Sequence, residues 1–538
     1  MSRSIRHAHE PSATDTLVDI EDDYLKPQAN GKAQFKTQEE RQTNCPPVIP
    51  PTNLSRTLVL CFDGTGDSFD ADNSNVVQFS SLLKKGDKAQ QLVYYQSGVG
   101  TYVAPKTVSP TTSKALQVLD MMFAWNLDAH IMDGYEFLMQ NYQSGDRICI
   151  FGFSRGAYTA RCLAGMLHKV GLLTADNKQQ VPFAYKMYTR VDEVGWAQAT
   201  DFKRSFCLDV PIEFVGVWDT VDSVGAVVDR RLPFLTSSKV IKTFRHAVAL
   251  EEHSAKFQAN LWNEPTPEEE ELGQVRPCPS TNPESKARPM SEHLEERQKT
   301  DVKEVWFAGC HCDVGGGSVV NYTRHSLARI SLRWMVRECF AAESGIMFDA
   351  NRLRDIGMNP ATLYPVVLQR PPPADCSIST IQAPIWHNKG TAEGESQSIL
   401  LSSLKYLLPL WYKHNNAVHH HETHHVEPFL SEEDEEVKDV HSPKYDQLDN
   451  KRGWWLLESV FLPMRDAGYD RITHWRVNLG RPRVIPKPKE GKKLYVHRSV
   501  KMRMALVDPK TKKNYMPASL TAAVSPWLRK GDMIEWVD

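Results

Sequence analysis

The sequence predicts an α/β fold built on a mainly parallel sheet with helices on both faces. Three observations carry that prediction. Short apolar runs alternate with longer stretches of helical period, the pattern of βαβ units. Several of the runs end in turns rich in Gly and Asp. One such turn reads Gly152-Phe153-Ser154-Arg155-Gly156 and stands between an apolar run and an amphipathic stretch.

The elements follow in chain order. Residues 1–54 are polar and end in PPVIPP, and are expected to be a disordered tail. At Arg56 the composition changes: RTLVLCFDGTGDS is a buried strand followed by a tight turn. QLVYYQSGVGT, 91–101, repeats that pattern. Residues 114–143 have helical spacing and predict one long or two shorter helices. DRICIFGFSRGAYTARCLAGMLHKVG, 146–171, reads as strand, turn and helix. IEFVGVWDTVDSVG, 212–225, and EVWFAGCHCDVGGGS, 304–318, are two more strand–turn units, the second followed by a helix at 324–341. Residues 263–300 turn polar and acidic and read as a disordered insertion in a catalytic domain of 55–345. The remainder, 346–538, reads as a helical and irregular C-terminal extension that packs on or caps that domain.

Composition narrows the function. Sixty-four Lys and Arg against 66 Asp and Glu give a net charge of −2, which weighs against a nucleic-acid partner. The N-terminus has no apolar h-region, and no apolar run reaches the roughly 18 residues of a membrane span. The expected location is therefore intracellular, in the cytoplasm. Ten scattered cysteines read as reduced residues, not as a disulfide framework. Cys310 and Cys312 have no C-x-x-C partner, so no zinc site is expected there. His421-Glu422-Thr423-His424-His425 is literally H-E-x-x-H, but its polar, His-rich surroundings do not make the buried helix a zinc protease needs. Neither metal nor organic cofactor is expected.

The G-x-S-x-G at 152–156 has the strand–turn–helix context of a nucleophile elbow, and with it the fold reads as an α/β-hydrolase. The turn strains the serine backbone and lifts its hydroxyl above the sheet, at the positive end of a helix. A serine hydroxyl needs a base, and the base an orienting acid. In this fold the order is Ser, Asp or Glu, His, at the ends of successive strands. Downstream, one strand ends in Trp218-Asp219-Thr220 and another in Gly309-Cys310-His311, so Ser154, Asp219 and His311 are the expected catalytic residues. Asp222 is a competing acid. His497 is a competing base, with Asp313 as its acid. The Arg155 amide and the amides of Gly64 and Thr65, in the turn that begins at Asp63, are the expected oxyanion donors. The other reading keeps the fold without catalysis, as a scaffold binding a lipid or a partner protein.

LCFDGTGDS, GFSRGAYTAR, VGVWDTVDSVG, RHAVALEEHSAKF, VWFAGCHCDVGGGS and LYVHRSV, in this order, resemble the α/β-hydrolase domain shared by bacterial type VI secretion phospholipase effectors and many uncharacterised fungal proteins. The resemblance covers roughly residues 56–345, with weaker echoes in GWWLLE and LYVHRSV, and the intracellular fungal branch is the closer match. It implies a Ser154–Asp219–His311 triad and hydrolysis of carboxylic esters, with lipid or phospholipid as substrate. A lipid substrate in turn implies contact with a membrane surface. The apolar, aromatic block at 400–412 reads as a lid or membrane-touching element, or else as a buried helix.

Overall fold

The computed structural model describes residues 45–538 without 66, 68, 99–111, 222–231, 235–237, 239, 264–298, 375–428, 451–454, 460, 466–472, 508–511 and 531–532. The polar tail up to residue 44, most of the acidic insertion, Asp222, the block at 400–412 and the H-E-x-x-H stretch lie outside the described residues.

Eight strands form one sheet: β1 (Thr57–Phe62), β2 (Gln91–Gln96), β3 (Arg147–Phe153), β4 (Ile212–Trp218), β5 (Ile241–Ala249), β6 (Asp301–Phe307), β7 (Leu494–His497) and β8 (Ile534–Val537). Their order across the sheet is β2-β1-β3-β4-β5-β6-β7-β8, and every neighbouring pair is parallel. The helices named here are α1 (Asn75–Leu82), α2 (Thr112–Asn141), α3 (Ser154–Val170), α4 (Val181–Thr189), α5 (Glu193–Phe206), α6 (His311–Gly315), α7 (Leu327–Ala341), α8 (Glu432–Val440) and α9 (Arg498–Met504).

The central strands β1 and β3 are buried on both faces, which is why they read as continuous apolar runs. In β1, Val59 and Cys61 point into one core with α1, α7 and α8, while Leu58, Leu60 and Phe62 point into the other with α2, α3 and α4. That two-residue period is what a strand must show when helices cover both sides. The helices are stopped locally. Ser74 caps α1 by accepting from the amides of Val76 and Val77, and Gly171, at φ 72°, ends α3.

β5 had no counterpart in the sequence pattern. Arg245 and His246 interrupt its apolar run, yet both are buried. Arg245 pairs with Asp301 at 2.6 Å and Glu338 at 2.5 Å, and His246 Nδ1 lies 2.8 Å from Glu304. Buried charge is tolerated when it is paired, and these partners are remote in sequence.

The C-terminal residues correct the expectation of an extension that packs on or caps the domain. β7 and β8 complete the sheet itself, and Leu494 and Val496 bury against Val248 and Trp306. LYVH and IEWV read as strand-like pieces in the sequence, but runs of four residues carry no signal of which sheet they join. Eight cysteines lie among the described residues, and all are free thiols. Among the described residues no helix is long and apolar enough to cross a membrane.

The chain moves outward from β1 to β2, then crosses back to β3. That reversal makes a crevice outside the carboxyl ends of β1 and β3, where open α/β sheets bind ligands. Asp63 leaves one strand there and Ser154 the other.

Candidate active site

Ser154 is the turn between β3 and α3. Its φ of 57° is the strained, left-handed conformation that an elbow imposes. The flanking glycines are required by close approach. A Cβ on Gly156 would stand 2.3 Å from the carbonyl oxygens of Phe62 and Asp63, and one on Gly152 would stand 2.5 Å from the Gly156 carbonyl oxygen. Strand β3, the turn and the loop after β1 therefore pass one another with no room for a side chain.

Asp219 follows β4, the neighbour of β3. Its backbone is also left-handed, at φ 38°, and its amide donates to the Ala247 carbonyl at 2.7 Å. His311 opens α6, after β6, and its amide donates to Glu252 at 3.0 Å. From three strands, the three side chains meet in one line. His311 Nε2 lies 2.9 Å from Ser154 Oγ, and His311 Nδ1 lies 2.5 Å from Asp219 Oδ2. All three are buried, Asp219 completely.

An ionised Asp219 only accepts, so the proton of the neutral imidazole sits on Nδ1 and Nε2 accepts from the serine hydroxyl. Asp219 is kept ionised. Complete burial would raise its pKa, but the Arg483 guanidinium, and then the hydrogen bond and charge of His311, hold it well below the usual carboxylate range. The Ala249 amide donates a further bond to Oδ1 at 2.9 Å.

Two rings hold the imidazole. Phe257 stacks on it with centroids 4.4 Å apart and planes 13° apart, and Phe153 lies at 4.7 Å. Phe153 in turn fits where Gly64 and Gly315 have no side chain. A Cβ on Gly315 would fall 1.8 Å from the ring, and one on Gly64 2.9 Å from it. The Gly-rich turn after His311 thus makes room for a ring beside the elbow.

The Asp63 carboxylate accepts from Ser74 Oγ at 2.5 Å, Tyr95 Oη at 2.7 Å and the Gly64 amide at 2.8 Å. It ties the loop after β1 to β2 and α1. Burial raises its pKa against those three bonds. The Gly64 amide is therefore engaged by Asp63, a correction to its expected role as an oxyanion donor; a short Asp-Gly turn lets the side chain reach the next amide. Thr65 follows in the same loop. Arg155 is the second residue of α3, in the first turn, whose amides have no acceptor within the helix.

Asp313 and His497 are not partners. Asp313 accepts from the amides of Cys310 at 2.9 Å and Tyr445 at 3.1 Å, and burial pushes its pKa up to about 7. His497 caps α9 by accepting from the Ser499 amide at 3.2 Å, and stacks on Phe307 at 4.8 Å. Burial holds it down at about 3, so it is neutral.

Donor atoms of His253, Cys310 and Asp446 converge within 4.8 Å of one another. They are already satisfied: His253 bonds Asp446 directly, and Cys310 Sγ lies 3.3 Å from the Glu251 carbonyl.

Three residues of the site have no role readable in the sequence: Glu252 and Phe257, which lie inside the stretch RHAVALEEHSAKF, and Arg483. The first two lie just after β5, whose strand was itself unrecognised. Arg483 sits in the Pro-rich run GRPRVIPKPKE, which carries no signal of a buried role.

The family model "T6SS, Phospholipase effector Tle1-like, catalytic domain" matches residues 56–338, over half of the chain. An uncharacterized protein of Saccharomyces cerevisiae is 27% identical over 557 residues, which cover 81% of this chain and 78% of that protein. A crystal structure of an uncharacterized protein from Pseudomonas aeruginosa is 20% identical, at a TM-score of 0.29, over 54% of this chain and 46% of that one. The structure of the Tle1 effector bound to the VgrG spike of the type VI secretion system is 17% identical, at a TM-score of 0.24, over 49% of this chain and 52% of that one. The chain spans about half the length of each of these two solved proteins.

Proposed function

This chain belongs to the Tle1-like phospholipase effector catalytic-domain family, and on that premise we propose that it is a serine hydrolase cleaving carboxylic esters of lipids or phospholipids. One observation carries the reading: the unbroken line from Ser154 Oγ through His311 to Asp219, at 2.9 and 2.5 Å, with the serine on a strained elbow.

In this reading His311 Nε2 takes the Ser154 proton as Oγ attacks the ester carbonyl. Asp219 keeps the imidazole in the Nδ1–H tautomer and stabilises its cation. The imidazolium then returns the proton to the departing alcohol. Water, activated by the same imidazole, releases the acid and restores the serine. The Arg155 and Thr65 amides are the donors proposed for the developing oxyanion, and one such donor contributes about 3–4 kcal/mol to the transition state. The chemistry uses the chain's own groups throughout. A lipid substrate brings the protein to a membrane surface.

The test is hydrolysis of phosphatidylcholine and phosphatidylglycerol vesicles by the wild-type chain and by Ser154→Ala. Fatty-acid release by the wild type alone supports the reading. A folded wild-type chain that cleaves neither these lipids nor a soluble ester favours the scaffold reading.

A further inference from the structure

We propose that Arg483 is a positioning residue of the active site, and that the C-terminal segment carrying it sets the geometry of the Asp219–His311 pair. The inference rests on the serine hydrolase reading above.

Arg483 is buried, and its partners use every donor of the guanidinium. Nη1 donates to Asp219 Oδ1 at 2.7 Å and to the Ala249 carbonyl at 3.0 Å. Nη2 donates to Asp219 Oδ2 at 2.9 Å and to the Phe257 carbonyl. Nε donates to the same Phe257 carbonyl at 3.1 Å. Five N–H groups make five bonds, so the buried charge is both paired and fully hydrogen-bonded.

The fork grips both oxygens of Asp219 and fixes the plane of the carboxylate, a planar match that a point charge cannot make. Oδ2 is the oxygen that meets His311. Holding the Phe257 carbonyl does the same for the other wall of the site, because the Phe257 ring stacks on His311. One residue thereby orients the imidazole twice, through its acid and through its aromatic cover. Ala249, at the end of β5, completes the clamp.

The segment bearing Arg483 is itself tied down at the same end of the sheet. The Arg483 amide donates to the Glu252 carbonyl at 3.3 Å, and Glu252 also receives the His311 amide. Asn478 Nδ2 donates to the His253 carbonyl at 2.7 Å, and the Ile485 amide donates to Ser525 Oγ at 3.2 Å. Arg483 lies beyond the family-matched residues 56–338, so the matched stretch holds the three reacting side chains but not the group that aligns them.

The test compares Arg483→Gln and Arg483→Lys with the wild type on p-nitrophenyl butyrate, with active sites counted by a fluorophosphonate. The expected result for Arg483→Gln is a KM within about twofold and a kcat reduced about 100-fold, the cost of a small misplacement of reacting groups. Arg483→Lys keeps the charge and loses the fork, so it is expected to remain at least about 10-fold below wild type in kcat. Wild-type kcat per active site in either variant, whatever happens to Tm, overturns the proposal and leaves Arg483 as a buried ion pair of the fold. If Arg483→Gln fails to fold, the Lys variant decides: an unchanged kcat refutes the role. A wild-type chain that takes no adduct and cleaves no ester refutes the serine hydrolase reading itself, and the role of Arg483 with it.

Discussion

Phe153 and His311 lie ring against ring, 4.7 Å apart, although 157 positions separate Ser154, the residue next to Phe153, from that histidine. The residue that enters the elbow is thus also a wall for the group that faces it. The ring fits because Gly64 and Gly315 leave space on its other sides.

Gly315→Ala should therefore damage the site through the Phe153 ring, without altering Ser154, Asp219 or His311 themselves. Its Cβ would fall 1.8 Å from the Phe153 ring, so the ring must move toward His311 or the α6 turn must open. Overpacking of this kind costs about 1–3 kcal/mol. A thermal melt should show a lower Tm, and kcat on a soluble ester should fall at least about tenfold, as expected of a shifted imidazole. Wild-type kcat in this variant would mean that the ring contact does not hold the histidine.

Asp219→Asn should reduce both rate and stability. The wrong imidazole tautomer lowers kcat by about 10⁴-fold in enzymes of this mechanism. The same change leaves the Arg483 guanidinium buried opposite a neutral amide, and breaking a buried pair costs about 3–5 kcal/mol. Asp222→Asn, at the competing acid, should leave kcat within about twofold of wild type. If the Asp222 variant is the inactive one, the acid has been misassigned.

His497 makes a pH prediction. Burial lowers its pKa to about 3, against the opposing effect of Glu436 and with the help of Arg370, Arg498 and Arg333. The folded state therefore binds fewer protons than the unfolded chain between about pH 3 and the ordinary histidine pKa of about 6.5. Stability from the neutral imidazole is complete above that upper value and is lost as pH falls below it. His497→Asn keeps a capping side chain for α9 and removes the titration. Its Tm should drop less than that of wild type between about pH 7 and pH 4, with ester hydrolysis retained. An equal drop in Tm would show that other groups govern acid unfolding, and loss of hydrolysis would restore His497 as a candidate base.

Much of this site was legible because its parts are local. Gly152 and Gly156 bracket Ser154 within one turn, and Asp219 and His311 each close a strand whose apolar run is readable by itself. The parts that escaped notice depend on partners far along the chain. β5 hides Arg245 and His246 behind Glu338, Asp301 and Glu304. Arg483 reaches Asp219 across 264 positions, from a loop with no periodicity. The Gly64 amide was misread because the sequence pattern cannot say that Asp63 has already taken it.

The central claim is that Ser154 is a nucleophile activated by His311, and covalent labelling tests it most directly. Wild-type chain, Ser154→Ala and His311→Ala would be exposed to a fluorophosphonate at neutral pH, with the adduct located by peptide mass spectrometry. The account predicts one stoichiometric adduct on Ser154 in the wild type, none in Ser154→Ala, and labelling slowed at least about 100-fold in His311→Ala, the range for losing a general base. A folded wild-type chain that remains unlabelled, or one labelled at another serine with Ser154→Ala still active, would contradict it.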